Sequence, residues 1–227
     1  MELGDALRTT GSVRNFTSAT VTDETLVSIL EDARFAPSGG NRQAWHVIVV
    51  KDADRRRALR DLYLDAWHDY VAHGLARLIP FSPVATEEDR ARAASRRSDA
   101  VALSRPDGFP ESLDAVPVML VICADLSALA ATDRDLDRYH IAGGASIYPF
   151  VWSILLAARE RGLGGVMTTM ATRNEPAVQA VLSMPENQIV ASIVALGYPK
   201  QQNTKLRRNP VASFTTVDRF DGEPLTR

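Results

Sequence analysis

Cysteine is nearly absent from this sequence, because Cys123 is the single cysteine among 227 residues. One cysteine excludes an intramolecular disulfide and a cysteine-rich metal site. Cys123 lies in the apolar run 116–124, where a packed strand thiol is expected rather than a nucleophile. The first residues also lack the apolar stretch of a secretory signal. A reducing, cytoplasmic location is therefore expected.

An excess of charge of either sign is also missing. The chain has 26 Lys and Arg against 28 Asp and Glu, for a net charge of −2. This balance argues against nucleic acid and against an anionic membrane surface as partners. The longest uncharged segment, 141–158, contains Gly143, Gly144 and Pro149. A helix buried in the core or in a subunit interface is expected there, rather than a membrane span.

Helical and extended patterns alternate along the chain, and helices predominate. Helices are predicted at 1–8, 22–33, 52–78, 86–104, 137–161 and 174–182, and strands at 46–51, 116–124, 166–170, 189–196 and in the tail 211–220. No linker or repeat interrupts the pattern, so residues 1–227 are predicted to form one α+β domain. The stretch 63–113 has little continuous core pattern and is predicted to be a variable lid.

The most informative segment is the turn 36–46, between a helical stripe and a buried strand. Gly39 and Gly40 allow backbone amides to approach a flat ligand closely. Ser38, Asn41 and Gln43 add short polar groups at the same boundary, where ligand sites are common. An ordinary polar turn is the alternative interpretation.

Three other segments carry polar or glycine-rich patterns. Ser12 and Arg14 are two residues apart, so in an extended segment both point to one side and can serve an anion or a ring carbonyl. The cluster 205–208 contains Arg207 and Arg208, whose guanidinium groups suit phosphate oxygens, although a solvated basic loop is the alternative. The glycines at 162–165 follow a helix and precede a strand, which excludes the dinucleotide-binding fingerprint.

Taken together, the segments 12–16, 36–45, 162–169 and 206–210 resemble the FMN-binding segments of the nitroreductase family. The threonines at 168 and 169 are similar to those of the subgroup that includes iodotyrosine-deiodinase-like members. The resemblance covers nearly the whole chain except 63–113. It implies an α+β nitroreductase-like fold, with a central mixed sheet flanked by helices, in an intertwined homodimer that holds FMN at its interface.

The resemblance also implies roles for individual residues. Ser12 and Arg208 match phosphate-side residues, and Arg14 matches a cation near the pyrimidine edge of the flavin. Thr169 is the implied catalytic residue, because a hydroxyl that donates to flavin N5 favours one-electron states. The remaining implied cofactor-binding residues are Val13, Pro37, Ser38, Gly39, Asn41, Gln43, Gly165, Val166, Met167, Thr168 and Arg207, with Ser38 and Gly39 contributed by the partner chain.

Some positions depart from the family pattern. Thr10 and Gly11 stand where the family usually has arginines, which predicts fewer phosphate contacts and weaker FMN binding. Lys205, Arg207 and Arg208 are the candidates to compensate. His68 and His73 are five residues apart and do not share a helical face as metal ligands, so no metal is expected.

The implied activity is reduction of a small electrophile, such as a nitroaromatic or a quinone, by NADH or NADPH through a ping-pong mechanism. The aromatic residues of the lid region are candidates for a wall over the substrate, with ordinary packing as the alternative: Tyr63, Trp67, Tyr70, Phe81 and Phe109. Two other functions stay open. One is a non-redox protein that sequesters flavin, and the other is a reductive dehalogenase-like flavoenzyme.

Overall fold

The computed structural model describes residues 1–226. Within them the helices are α1 (Leu3–Thr9), α2 (Asp23–Ala33), α3 (Ala53–Leu75), α4 (Glu87–Ala94), α5 (Arg97–Ala102), α6 (Tyr148–Glu160) and α7 (Glu175–Leu182). The strands are β1 (Trp45–Val49), β2 (Val118–Asp125), β3 (Gly164–Thr168) and β4 (Gln188–Gly197). The predicted α+β class is confirmed.

The four strands form one sheet in the order β1-β2-β4-β3, and every neighbouring pair is antiparallel. This corrects the expectation of a mixed sheet. Strands β2 and β3 run in the same direction, but β4 lies between them and is antiparallel to both. Among residues 1–226, the one parallel contact is an isolated bridge between Ser12 and Gly165, at the outer edge of β3. That bridge brings the N-terminal segment next to the predicted flavin-side segment.

The sheet is the middle layer of the molecule. Leu120 and Ile122 of β2 face a cluster that includes Ile154 of α6, whereas Met119 and Val121 face the cluster beneath α3 and α7. Both faces of β2 are covered, which explains its continuous apolar run. The uncharged segment ends in α6 and packs into this core, as expected. Between residues 1 and 226, no helix combines the length and the apolar composition needed to cross a membrane.

Several predicted boundaries are wrong. The helix expected at 137–161 begins only at Tyr148, because a 3-10 turn occupies Ala142–Ser146, where two consecutive glycines favour a tighter path. The helix expected at 86–104 is divided into α4 and α5. The tail forms a 3-10 turn at Val211–Ser213 and no strand, since its apolar side chains are exposed and β-propensity alone does not order a strand.

Helix α6 is followed by Gly162, the glycine that the sequence predicted at its C-terminal end. Gly162 has a φ of 77°, a left-handed conformation that glycine adopts without the steric penalty of a Cβ. The amide of Leu163 then donates to the carbonyl of Ala158 at 2.9 Å. This sharp turn directs the chain from α6 straight into β3.

Candidate functional site

The N-terminal segment lies along the edge of β3. The Val13 amide donates to the Gly165 carbonyl at 2.9 Å, and the Val13 side chain is buried. It packs on Gly164, where an added Cβ would lie 2.7 Å from Val13 Cγ2. Ser12 and Arg14 are exposed on the opposite side, as the two-residue alternation predicted.

A polar cleft of about 580 Å³ opens beside this segment. Ser12 and Arg14 form one side of it, and the cationic cluster 205–208 forms the other. Asn203, which the sequence reasoning missed, ties the two sides together because its Nδ2 donates to the Ser12 carbonyl at 2.9 Å. The predicted phosphate-side residues Ser12, Arg207 and Arg208 therefore do share one cleft.

An aromatic cleft of about 420 Å³ adjoins the polar one at Arg14, which lines both. Tyr63 and Trp67 are stacked with ring centroids 6.5 Å apart, and Trp67 and Tyr70 are stacked at 5.0 Å. The Arg14 guanidinium lies 6.0 Å from the centroid of the Phe109 ring. The rest of the wall consists of Pro110, Met167, Thr168, Thr169 and Met170. Four of the five predicted wall aromatics are thus in this cleft, and Phe81 lies elsewhere.

A hydrogen bond joins β3 to the aromatic wall. Thr168 Oγ1 donates to the Tyr63 hydroxyl at 3.2 Å. Burial raises the pKa of the Tyr63 phenol above its ordinary value, and the Thr168 bond and the Arg14 charge oppose that shift. Thr169 follows at the end of β3, and its carbonyl accepts from Thr172 Oγ1 at 2.7 Å. These bonds fix the backbone that carries both threonines.

The loop 37–43 does not reach either cleft within one protomer. It is stabilised locally, because Ser38 Oγ accepts from the Gln43 amide at 3.0 Å and the Gly39 amide donates to Ser146 Oγ at 3.0 Å. Asn41 and Gln43 both adopt left-handed backbone conformations. The predicted residues Pro37, Ser38, Gly39, Asn41 and Gln43 are therefore separated from the other predicted site residues in the single chain.

The lid region is anchored to the site by polar contacts that the sequence pattern did not indicate. Arg97 of α5 pairs with Asp69 of α3 and with Asp65 at 2.5 Å. Asn174 Nδ2 donates to Asp65 Oδ2 at 3.2 Å and to the Leu62 carbonyl at 2.8 Å. The excursion α4–α5, helix α3 and the turn after Thr169 are thus joined in one network.

The two adjoining clefts suit an elongated ligand. One end offers guanidinium and hydroxyl donors to an anion, and the other offers flat apolar walls to a ring system. Arg14 places a cation at the junction. Met167 and Thr168 present the edge of β3 to the ring end.

Comparisons with known proteins agree with this fold. A model of the nitroreductase family matches residues 7–198. Nitrobenzene nitroreductase of Ectopseudomonas oleovorans is 27% identical over 94% of this chain and 96% of its own length. Mouse iodotyrosine deiodinase 1 is 24% identical over 89% of this chain and 64% of its own length. The BluB-like flavoprotein of Clostridium difficile superposes with a TM-score of 0.68 at 20% identity, covering 96% and 100% of the two chains.

Proposed function

We infer the function of this protein from its family, because the chain belongs to the nitroreductase family. We propose that it is an FMN-dependent oxidoreductase in which NADH or NADPH is the reductant. Nitroaromatics, quinones or similar small electrophiles are the proposed acceptors. The similarity to a nitrobenzene nitroreductase over nearly the full length of both chains supports this substrate class.

One observation carries the proposal: the polar and aromatic clefts meet at Arg14. FMN has a phosphate at one end and a flat isoalloxazine ring at the other. The cationic donors of the polar cleft suit the phosphate, and the flat walls of the aromatic cleft suit the ring. Ser12, Arg207 and Arg208 would hold the phosphate. The residues present therefore fit FMN, although Thr10 and Gly11 supply no guanidinium.

The chain's own residues orient the ligands and set the charge around them. When bound, FMN supplies the electron transfer between reductant and acceptor. Arg14 stabilises negative charge at the ring end, and Thr169 offers its hydroxyl to the ring edge. Trp67 and Phe109 exclude water from the cleft and stack with a planar substrate. Because reductant and acceptor would occupy the same cleft in turn, ping-pong kinetics follow.

The loop 37–43 is proposed to contact the flavin bound by a second copy of the chain. Its polar turn is held by local hydrogen bonds and lines neither cleft in one protomer, which supports a homodimer in which Ser38 and Gly39 of one chain contact the flavin of the other. Light scattering on the FMN-bound protein tests this arrangement. A monomer that retains FMN would contradict it.

The experiment for the proposed activity begins with the absorption spectrum of the purified protein. One FMN per chain is expected. Rapid mixing with NADH or NADPH should then bleach the flavin band near about 450 nm, and a nitroaromatic or quinone should restore it. A flavin-loaded protein that neither nucleotide bleaches would instead support the sequestering function.

A further inference from the structure

A third cavity, of about 720 Å³, lies between the end of α3, helix α4 and the 3-10 turn Met170–Asn174. It is separate from the polar and aromatic clefts that are proposed to hold FMN. Thr169 and Met170 line both this cavity and the aromatic cleft, so the two spaces are neighbours. A molecule in the aromatic cleft that carries a long substituent would enter the third cavity beside Thr169 and Met170, the residues that line both spaces.

Phe81 forms an unusual element of this cavity. Its φ is 53°, a left-handed conformation that a bulky side chain rarely adopts. The ring contacts both the His73 ring, with centroids 4.9 Å apart, and the Arg173 guanidinium, which lies 4.8 Å from the Phe81 centroid. The strained backbone thus holds an aromatic surface against a cation, and strain of this kind is concentrated at ligand sites.

The charged groups around the cavity favour an anion. Arg90 and Arg173 contribute two guanidinium groups, and Asp69 is the one carboxylate among the described lining residues. Asp69 is already paired with Arg97, a cation outside the lining. Arg90 Nη1 donates to the Ala85 carbonyl at 2.8 Å, which fixes the side chain and leaves its other N–H groups available.

The two other titratable groups of the wall are compatible with an anionic ligand. His73 Nδ1 lies 2.8 Å from the Asp69 carbonyl, which can only accept, so Nδ1 carries the proton. Tyr139 adds a phenol that can donate a hydrogen bond. An aromatic surface with two guanidinium groups and a phenol is a receptor for a carboxylate attached to a ring.

We propose that the third cavity binds the anionic end of an aromatic electron acceptor, with Arg173 as the residue that selects for the charge. This rests on the proposed oxidoreductase function and narrows its substrate class to acceptors that carry a carboxylate. The phosphate of NADPH has related chemistry, so the test includes both nicotinamide nucleotides.

The test compares Arg173→Gln with the matched control Arg55→Gln in the FMN-bound protein. Arg55 is an exposed arginine at the start of α3, 18 residues before His73 and hence about 27 Å along the helix. Calorimetric titration with benzoate and with neutral benzamide measures binding without turnover. Arg173→Gln should weaken benzoate binding about tenfold or more and leave benzamide unchanged, whereas Arg55→Gln should change neither.

The same variants are then assayed with 4-nitrobenzoate and with nitrobenzene, each with NADH and with NADPH as the reductant. Arg173→Gln should lower kcat/KM about tenfold for the carboxylate alone. Arg173→Lys, which keeps the charge, should recover part of the loss, and thermal melting verifies that each variant is folded. Unchanged benzoate affinity, an equal loss for benzamide, or a rise confined to the KM for NADPH would overturn the proposal. Benzoate binding can be measured even if the protein has no turnover. A failure of the proposed oxidoreductase activity is therefore distinguishable from a failure of the proposed carboxylate site.

Discussion

Replacing Arg208 by alanine tests whether the polar cleft holds a phosphate. Arg208 is exposed, and its Nη1 donates to the Arg207 carbonyl at 2.7 Å, which leaves the rest of the guanidinium fork available. Ser12, Arg14 and Lys205 line the same cleft. The substitution therefore removes one of several donors and disturbs no buried contact.

The expected magnitude follows from the kind of bond that is lost. A hydrogen bond to a charged group contributes about 1.5–3 kcal/mol. Each 1.4 kcal/mol is about a tenfold change in the dissociation constant, so FMN should bind about 10- to 150-fold more weakly. Lys205 and Arg207 also line this cleft and would still contact a bound phosphate. The expected loss of affinity is therefore in the lower half of this range. The loss should shrink as salt increases, because the site is exposed.

Quenching of flavin fluorescence on binding measures the dissociation constants of FMN and of riboflavin, which lacks the phosphate. Arg208→Ala should weaken FMN binding and leave riboflavin binding unchanged. Arg219→Ala is the matched control, since Arg219 is an exposed tail arginine paired with Asp221 at 3.1 Å. An equal loss for both flavins, or unchanged FMN affinity, would refute the assignment of Arg208 to the phosphate.

Three further substitutions address stability and the ring end of the site. Gly162→Ala should lower the free energy of unfolding by about 1–2 kcal/mol in a urea titration, because its φ is positive while an added Cβ meets no atom within 4 Å. Asp133 accepts from the amides of Ile141 and Ala142, which lowers its pKa to about 2. The stabilisation is full above about pH 4 and is lost as the pH falls towards 2, so wild-type melting temperatures should drop across that window more than those of Asp133→Asn. Thr169→Ala should reduce the yield of one-electron-reduced flavin in a reductive titration. An unchanged yield would contradict the proposed hydrogen bond from the Thr169 hydroxyl to flavin N5.

The parts of the fold that local sequence determines were predictable. The period-two alternation predicted that Ser12 and Arg14 point to one side, and both are exposed in the structure. The burial of Val13 between them was not predicted, because Val13 was expected to contact the cofactor. Gly162 was recognisable as a helix end because a left-handed residue is required there. Such signals work because the relevant interactions span only a few residues.

Contacts between distant segments were not predictable from the pattern. Tyr63 and Phe109 were predicted as candidates for one wall, but the direct contact of these two residues, which are 46 positions apart in the sequence and have ring centroids 6.3 Å apart, was not predicted. The contacts of Arg97 with Asp65 and Asp69 were also not predicted. The tail was misread as a strand because Val211 and Phe214 favour extended backbone, yet no strand of the sheet is adjacent to pair with them in the described chain. A high β-propensity shows that a segment can form a strand, but the segment forms one only where it pairs with another strand and buries its side chains.

The attachment of α4 and α5 through Arg97 to Asp65 and Asp69 affects how this region tolerates substitutions. Two carboxylates on one turn of α3 hold the excursion in place, and Asn174 shares one of them with the turn that follows β3. Mutations elsewhere on these two short helices can then accumulate while the anchor persists. Such substitutions leave the sheet and the cleft residues Met167 and Thr168 of β3 unchanged.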